Sequence, residues 1–346
     1  MARVTLPATL PDPVPLPALH ASHGGHWLRD GSGRTTAVSK GDAIMAAADT
    51  PVLLLNAPLV ASRLGYPDLS GLDLLEAFAF IHPARYCVPT PRGLAEALGL
   101  PVPENDAAVP EMLQLAAGAL IAACQDTEWF EREGAWSAVQ SLERLRWPWA
   151  QVLRPHIAKP EKAERWLFAK LPEWEEAGER PAILAQLVAR WGAYTRDGDM
   201  IGGDLPGWLG TLFRKRGIAA LTDQRGECIY AGCPHYRKCF IERSARASAQ
   251  ADLVIANHAL VMVNAARSRE ATQRPTRIVF DEGHHVFEAA DSTFAAALTG
   301  AEAIELRRWI VGPEKQSRGR RRGLAARLAD VASYDEAGGK AIEAAL

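Results

Sequence analysis

The chain has 346 residues, 48% of them hydrophobic, with a formal net charge of −2 at pH 7. That length supports roughly two or three domains, each with its own core, and the near-neutral balance excludes a global basic field, so nucleic-acid contact requires a local patch. No apolar run approaches the roughly 20 residues expected of a membrane span. Five cysteines, three of them clustered, fit a reducing compartment better than a disulfide framework, which predicts a cytoplasmic protein.

Residues 1–25 open with MARVTLPATLPDPVPLPALH, a proline-rich lead-in without a basic start or a continuous apolar core, which argues against a signal peptide. Residues 26–105 read as an α/β module. Pro51–Asn56 (PVLLLN) is a short buried strand, SGLDLLEAFAF is a helix opened by Ser70 and Asp73, and RGLAEALGL is a helix ending at Gly99 and stopped by Pro101. Residues 106–180 turn helical and carry Trp129, Trp136, Trp147, Trp149, Trp166 and Trp174. Such a run can serve as stacking platforms for bases, but few basic residues are interleaved with it. A core-filling role is therefore expected.

A polar hinge, Glu175–Pro181, leads into residues 181–294. Here lie a helix (AILAQLVARWGAY), a turn with Gly198, Gly202 and Gly203, the cysteine segment, and two apolar strands. The strands fall within Ala251–Val261 (ADLVIANHALV) and at Arg277–Phe280 (RIVF), and Leu253–Ala256 and Ile278–Phe280 are expected as neighbours in one sheet. Residues 295–346 are alanine-rich and helical, with Arg318, Arg320, Arg321 and Arg322 as a basic cluster.

Two constellations bear on chemistry. In RIVFDEGHH, Arg277–His285, an apolar strand delivers Asp281 and Glu282 at its C-terminal edge, where α/β sheets place ligands. In an ATP-driven motor Asp281 would hold magnesium, Glu282 would orient or deprotonate the attacking water, and His284 would couple the nucleotide state to neighbouring motifs. The plainer alternative is a solvated strand end.

In ECIYAGCPHYRKCF, Cys228, Cys233 and Cys239 lie on one loop shaped by Gly232 and Pro234. They could converge on an iron–sulfur cluster, which wants four thiolates, or hold zinc with His235 as the fourth ligand. They could also be buried structural cysteines. Arg237, Lys238, Arg243 and Arg246 flank the trio as phosphate contacts or as a solvated face.

Residues 181–312, above all TRDGDMIGGDLPGWL, the cysteine string, VIANHALV and RIVFDEGHH, resemble the DinG/XPD-type superfamily 2 DNA helicases. In that family a [4Fe–4S] domain interrupts the first motor domain upstream of a DEAH box. The resemblance implies an α/β chain with an incomplete RecA-like helicase domain 1 and its iron–sulfur insertion, joined to the N-terminal α/β module and a helical linker domain. It implies Cys228, Cys233 and Cys239 as three cluster ligands and Asp281, Glu282 and His284 as the DEAH box, with Gly283 in place of alanine. It further implies ATP with Mg²⁺, contact with single-stranded or forked DNA through Arg237, Lys238 and Arg243, no membrane association, and the start of a helical arch-like domain from Ala295.

The departures are as specific as the match. No G-x-x-x-x-G-K-[ST] string occurs, and the only Gly-Lys pair is Gly339-Lys340. Cys87 and Cys124 lie farther from the trio than the family's first cluster cysteine, and the second motor domain is absent. The join near Arg180-Pro181 therefore reads as a deletion, and the chain as a fragment inactive on its own. The competing expectation is a non-catalytic nucleic-acid-binding or scaffold protein, or a zinc-binding structural module. A second, weaker resemblance links LLLNAPLVASRLGYPDLSGLDLLEAFAFIHPAR to a DnaQ-like exonuclease domain. Its metal-binding acids are missing after Asn56-Ala57 and on the first strand, and Asp73 alone would not hold metals.

Overall fold

The structure, a computed structural model, describes residues 10–162, 179–213, 218, 221–222, 228–267, 277–296, 298, 300–311 and 335–345. The chain divides into two units, Met1–Arg246 and Ala247–Leu346.

The first unit is built on a five-stranded sheet of order β3-β2-β1-β4-β5. Its strands are β1 (Ala18–Ala21), β2 (His26–Arg29), β3 (Thr35–Ala37), β4 (Leu53–Leu54) and β5 (Leu72–Asp73). β1 to β3 form an antiparallel ribbon, while β4 joins β1, and β5 joins β4, in parallel. The strand expected within Pro51–Asn56 is β4. β1, however, begins inside the stretch read as a flexible lead-in, because Ala18, Leu19 and Ala21 are fully buried against the sheet.

Local sequence explains the helices around the sheet. α1 (Lys40–Asp49) is capped by the Ser39 hydroxyl on the Asp42 amide. α2 (Ala57–Leu64) starts at Asn56, which sits in the left-handed region at φ 61° and caps the Leu59 amide. α3 (Leu74–Ile81) is capped by Asp73 rather than Ser70, since Leu72–Asp73 already belongs to the sheet. α4 (Pro91–Leu98) closes on Gly99 at φ 68°, as its sequence predicts.

α5 (Val109–Gln125), α6 (Ala135–Arg144) and α7 (Pro148–Leu153) form the tryptophan-rich layer. Contrary to the sequence reading, residues Asp106–Gln125 are long and apolar enough to cross a membrane by length and composition alone. The packing gives a different reason for that apolarity: Met112, Leu113, Ala116, Ala117 and Leu120 are buried in the main core, where α5 meets α3, α4 and β1.

The core reading of the tryptophans holds at Trp129, Trp147 and Trp149, all buried and each with its indole N–H satisfied. Trp129 donates to the Ile81 carbonyl at 3.1 Å, Trp147 to Glu76 Oε2 at 2.8 Å and Trp149 to the Asp73 carbonyl at 2.7 Å. Trp136 is half-buried beneath the Arg154 guanidinium, 5.8 Å from its ring centre. Trp166 and Trp174 lie outside the described residues.

Past residue 180 the chain goes on packing into the first unit. α8 (Glu179–Tyr194) and α9 (Leu209–Leu212) bury Ile183, Leu184, Leu187, Trp191, Trp208, Leu209 and Leu212 in the same core as α3 and α5. Arg190, fully buried on α8, donates to the carbonyls of Phe80 at 2.8 Å, Glu131 at 2.6 Å and Glu133 at 3.3 Å. An amphipathic helix settles on whatever apolar face will cover it, and that face belongs to the N-terminal unit.

The second unit contains the helices His258–Arg267, His285–Phe294, Gly300–Val311 and Glu336–Ala345. No side chain among its described residues is buried. The two apolar segments expected as neighbouring strands do not form strands. Leu253–Ala256 and Ile278–Phe280 both fall in this unit, but neither pairs, and Ile255 and Val279 are 93% and 95% exposed. An apolar run becomes a strand only when a neighbour takes its backbone hydrogen bonds, and no described segment does so here. The expected Ala251–Val261 strand gives way to helix at His258, where the Asn257 side chain accepts the Leu260 amide at 2.8 Å. The arginine cluster at residues 318–322 lies outside the described residues.

Candidate functional site

The acidic motif occupies a turn rather than a strand end. Asp281–His284 form consecutive turns leading into the helix His285–Phe294, with Glu282 in the left-handed region at φ 52°. The His285 amide donates to the Glu282 carbonyl at 3.0 Å and the Val286 amide to the Gly283 carbonyl at 3.2 Å. Glu282 Oε2 lies 3.4 Å from His284 Nδ1, the rings of His284 and His285 are centred 4.0 Å apart, and His258 stacks on Phe280 at 5.8 Å. Asp281, Glu282 and His284 are thus brought within one turn, yet all are solvent-exposed. Exposed carboxylates in water attract a cation weakly, since screening and high dielectric dominate.

The cysteine segment belongs to the first unit. Tyr230–Gly232 and Tyr236–Lys238 are single 3₁₀ turns, and the helix Phe240–Ser248 follows directly. Cys228 is exposed, while Cys233 and Cys239 are partly so, which removes the reading of three buried structural cysteines. Among the described residues no group of three or more His, Cys, Asp or Glu side chains is gathered around a metal-sized space. The expected convergence of Cys228, Cys233 and Cys239 is therefore not seen, and the residues as placed do not make a four-thiolate cage.

The basic residues of this segment face solvent in company with aromatics. Arg243 sits 5.4 Å over the Phe240 ring and Arg246 5.9 Å over the Tyr236 ring, while Arg237, Lys238 and Arg243 are exposed. Gly198, at φ 72°, faces Phe240, and a Cβ there would collide with the Phe240 ring. The glycine-rich turn read from the sequence therefore gives the cysteine segment its seat on the unit.

Sequence reasoning missed a buried polar network beneath the sheet edge. The fully buried Asp73 carboxylate accepts the backbone amides of Asn56 (3.1 Å), Ala57 (2.6 Å) and Leu75 (3.0 Å), tying α2 to α3. Glu76 receives the Trp147 indole at 2.8 Å and Arg180 Nη1 at 2.6 Å, and Arg180 lies 4.2 Å over the Phe213 ring. The helix-cap signal at Asp73 was legible. The role of Arg180, at the apparent join, had no local signal because its partners are distant in sequence.

Burial, followed by the nearby Glu76 charge, raises the Asp73 pKa to about 7 against the opposing effect of the three amides. A folded-state value above the unfolded 3.8 means that the folded chain holds the extra proton, so this contribution to stability is full below pH 3.8 and is lost as pH rises to about 7. The stability difference between the parent and Asp73→Asn should accordingly change across that window and be flat above it. Urea midpoints measured at several pH values check this, and a pH-independent difference would contradict it.

At the end of β1, where a DnaQ-like fold would carry acids, stands His20. Its Nε2 is 3.5 Å from Asp106 Oδ1, the Ser22 hydroxyl donates to the same carboxylate, and burial lowers the His20 pKa. One exposed-side carboxylate beside a neutral imidazole is not a two-metal site.

No family model matches the chain, and no solved structure matches it. Curated relatives do. ATP-dependent DNA helicase YoaA of Haemophilus influenzae is 27% identical over 136 residues, 36% of this chain and 20% of its own length. ATP-dependent helicase DinG of Mycobacterium tuberculosis is 32% identical over 117 residues, 34% of this chain and 17% of its own. DinG of Salmonella choleraesuis is 36% identical over 72 residues, 20% of this chain and 10% of its own. About a third of the chain is DinG-like. The chain spans a fifth or less of the length of these relatives.

Proposed function

We propose that this chain carries the DNA-contacting, cysteine-bearing part of a DinG-type helicase and does not by itself form a working motor. The observation that supports it is the helicase likeness over a third of the chain, together with the exposed basic and aromatic surface beside the cysteines. In this reading Arg237, Lys238 and Arg243 contact the phosphates of single-stranded or forked DNA, and the thiolates of Cys228, Cys233 and Cys239 hold a metal centre. By likeness that centre is a [4Fe–4S] cluster, with zinc the alternative. Asp281, Glu282 and His284 correspond to the DEAH box that manages magnesium and water when ATP is held. The N-terminal module, with its mixed sheet, serves as a structural or docking body. Its expected compartment is the cytoplasm.

Phosphate contacts do not need the motor, so DNA binding should survive and should be salt-sensitive. Fluorescence anisotropy with labelled single-stranded DNA tests this. Replacing Arg237, Lys238 and Arg243 together by alanine should flatten the slope of log affinity against log salt by about 2, the value expected for three lost contacts on a single strand. An unchanged slope would remove the basic turn from the interface. Absence of any binding by the parent chain would leave a scaffold role as the better reading.

A further inference from the structure

Arg277–Asp281 (RIVFD), in the second unit, has the side-chain pattern of a strand but no described backbone beside it to pair with. Exposure alternates along it as on a half-covered strand. Ile278 and Phe280 are 48% and 40% exposed, and Val279 between them is 95% exposed. The inner face rests on its own unit, where Phe280 stacks on His258 at the head of the helix His258–Arg267. Arg277, Val279 and Asp281 share the open face by the same alternation. Among the described residues neither Arg277 nor Asp281 has an ion-pair partner, and both are exposed.

We propose that Arg277–Asp281 pairs antiparallel with the same segment of a second copy of this chain, about a two-fold axis at Val279. The segment is complementary to its own reverse. Arg277 of each copy stands opposite Asp281 of the other, Ile278 opposite Phe280, and Val279 opposite Val279, so charge and apolar character match at every position. Such a contact uses the same patch on both copies and closes on itself, giving a dimer rather than a filament.

The ends fix the alignment. Any slip in register within these five residues sets a charge against an apolar side chain. Beyond Asp281 the backbone turns, with Glu282 at φ 52°, so the ladder ends at the ion pair. The other apolar run, Leu253–Ala256, has no such symmetry, because Asp252 is its only charged neighbour before the helix that begins at His258. Two short strands bury little area by themselves, so the dimer is expected to be weak and concentration-dependent. It engages Asp281 of the acidic motif with a guanidinium and holds that carboxylate away from other cations.

Sedimentation equilibrium of the full chain over a wide range of concentration reads the association directly. A reductant keeps the exposed cysteines from linking copies. The expected result is a monomer–dimer equilibrium. Val279→Lys, at a 95% exposed position, sets two ammonium groups face to face across the axis and should abolish the dimer while leaving the far-UV circular dichroism unchanged. Arg277→Asp or Asp281→Arg alone places like charges at both ends and should weaken association by about tenfold. Combining the two restores opposite charges in reverse order and should return the affinity to near that of the parent. An equimolar mixture of the two single variants should likewise associate better than either does alone.

Three outcomes would overturn the proposal. They are a chain that stays monomeric across the range, a dimer indifferent to Val279→Lys, and a double variant no better than either single one. The last two would assign self-association to another apolar surface.

Discussion

ATP hydrolysis by this chain is expected to stay at background, with or without single-stranded DNA. Phosphoryl transfer is almost wholly positioning and charge stabilisation, supplied on the phosphate side by the backbone amides and lysine of a P-loop. The sequence has no such loop, and Asp281 and Glu282 stand exposed on a turn. Loss of a single preorganised donor costs about 10²–10³ in rate in well-studied enzymes. Losing the whole cradle should place turnover at least about 10³-fold below a complete motor. A phosphate-release assay with Glu282→Gln as the control checks this. DNA-stimulated turnover that vanishes in the control would overturn it and would mean that phosphates are anchored by other residues.

Replacement of Arg190 by alanine should cost the first unit about 3–5 kcal/mol, the range seen when one partner of a buried charged network is removed. The guanidinium is fully buried, donates to three carbonyls on two chain segments, and lies 4.7 Å over the Phe80 ring. Without it the carbonyls of Phe80, Glu131 and Glu133 lose a charged donor, and α8 loses its anchor. Arg190→Lys should rescue little, because one ammonium cannot span the fork. Arg92→Ala, which breaks only an exposed pair with Glu96, should stay within about 0.5 kcal/mol of the parent. Urea unfolding followed by tryptophan fluorescence compares the three. A loss below about 1 kcal/mol for Arg190→Ala would mean that α8 is not an integral part of this unit.

That second experiment bears on the place where sequence and structure part most clearly. The helix at residues 182–194 is legible in the sequence, and the helicase resemblance assigns it to a helicase domain. Its address was not legible. An apolar stripe specifies that a helix must be covered, not by what, and the carbonyls that fix Arg190 carry no side-chain signature.

Local chemistry by itself determined a good deal of the rest. The caps at Asn56, Asp73 and Gly99 are decided within a few residues by amide satisfaction and left-handed backbone. The division of the cysteines into a trio and two outliers is likewise a property of the string.

The tertiary structure alone decided which of these features could act together. It buried Cys87 and Cys124 while leaving the trio in solvent, and it turned Trp129, Trp147 and Trp149 inward with each indole satisfied. It also placed Glu76 under Arg180 across the apparent join. The same dependence explains the failure at Leu253–Ala256 and Ile278–Phe280. Hydrophobic pattern marks a segment as fit for a sheet, but a strand exists only where another backbone completes its hydrogen bonds, and that partner is a property of the folded whole.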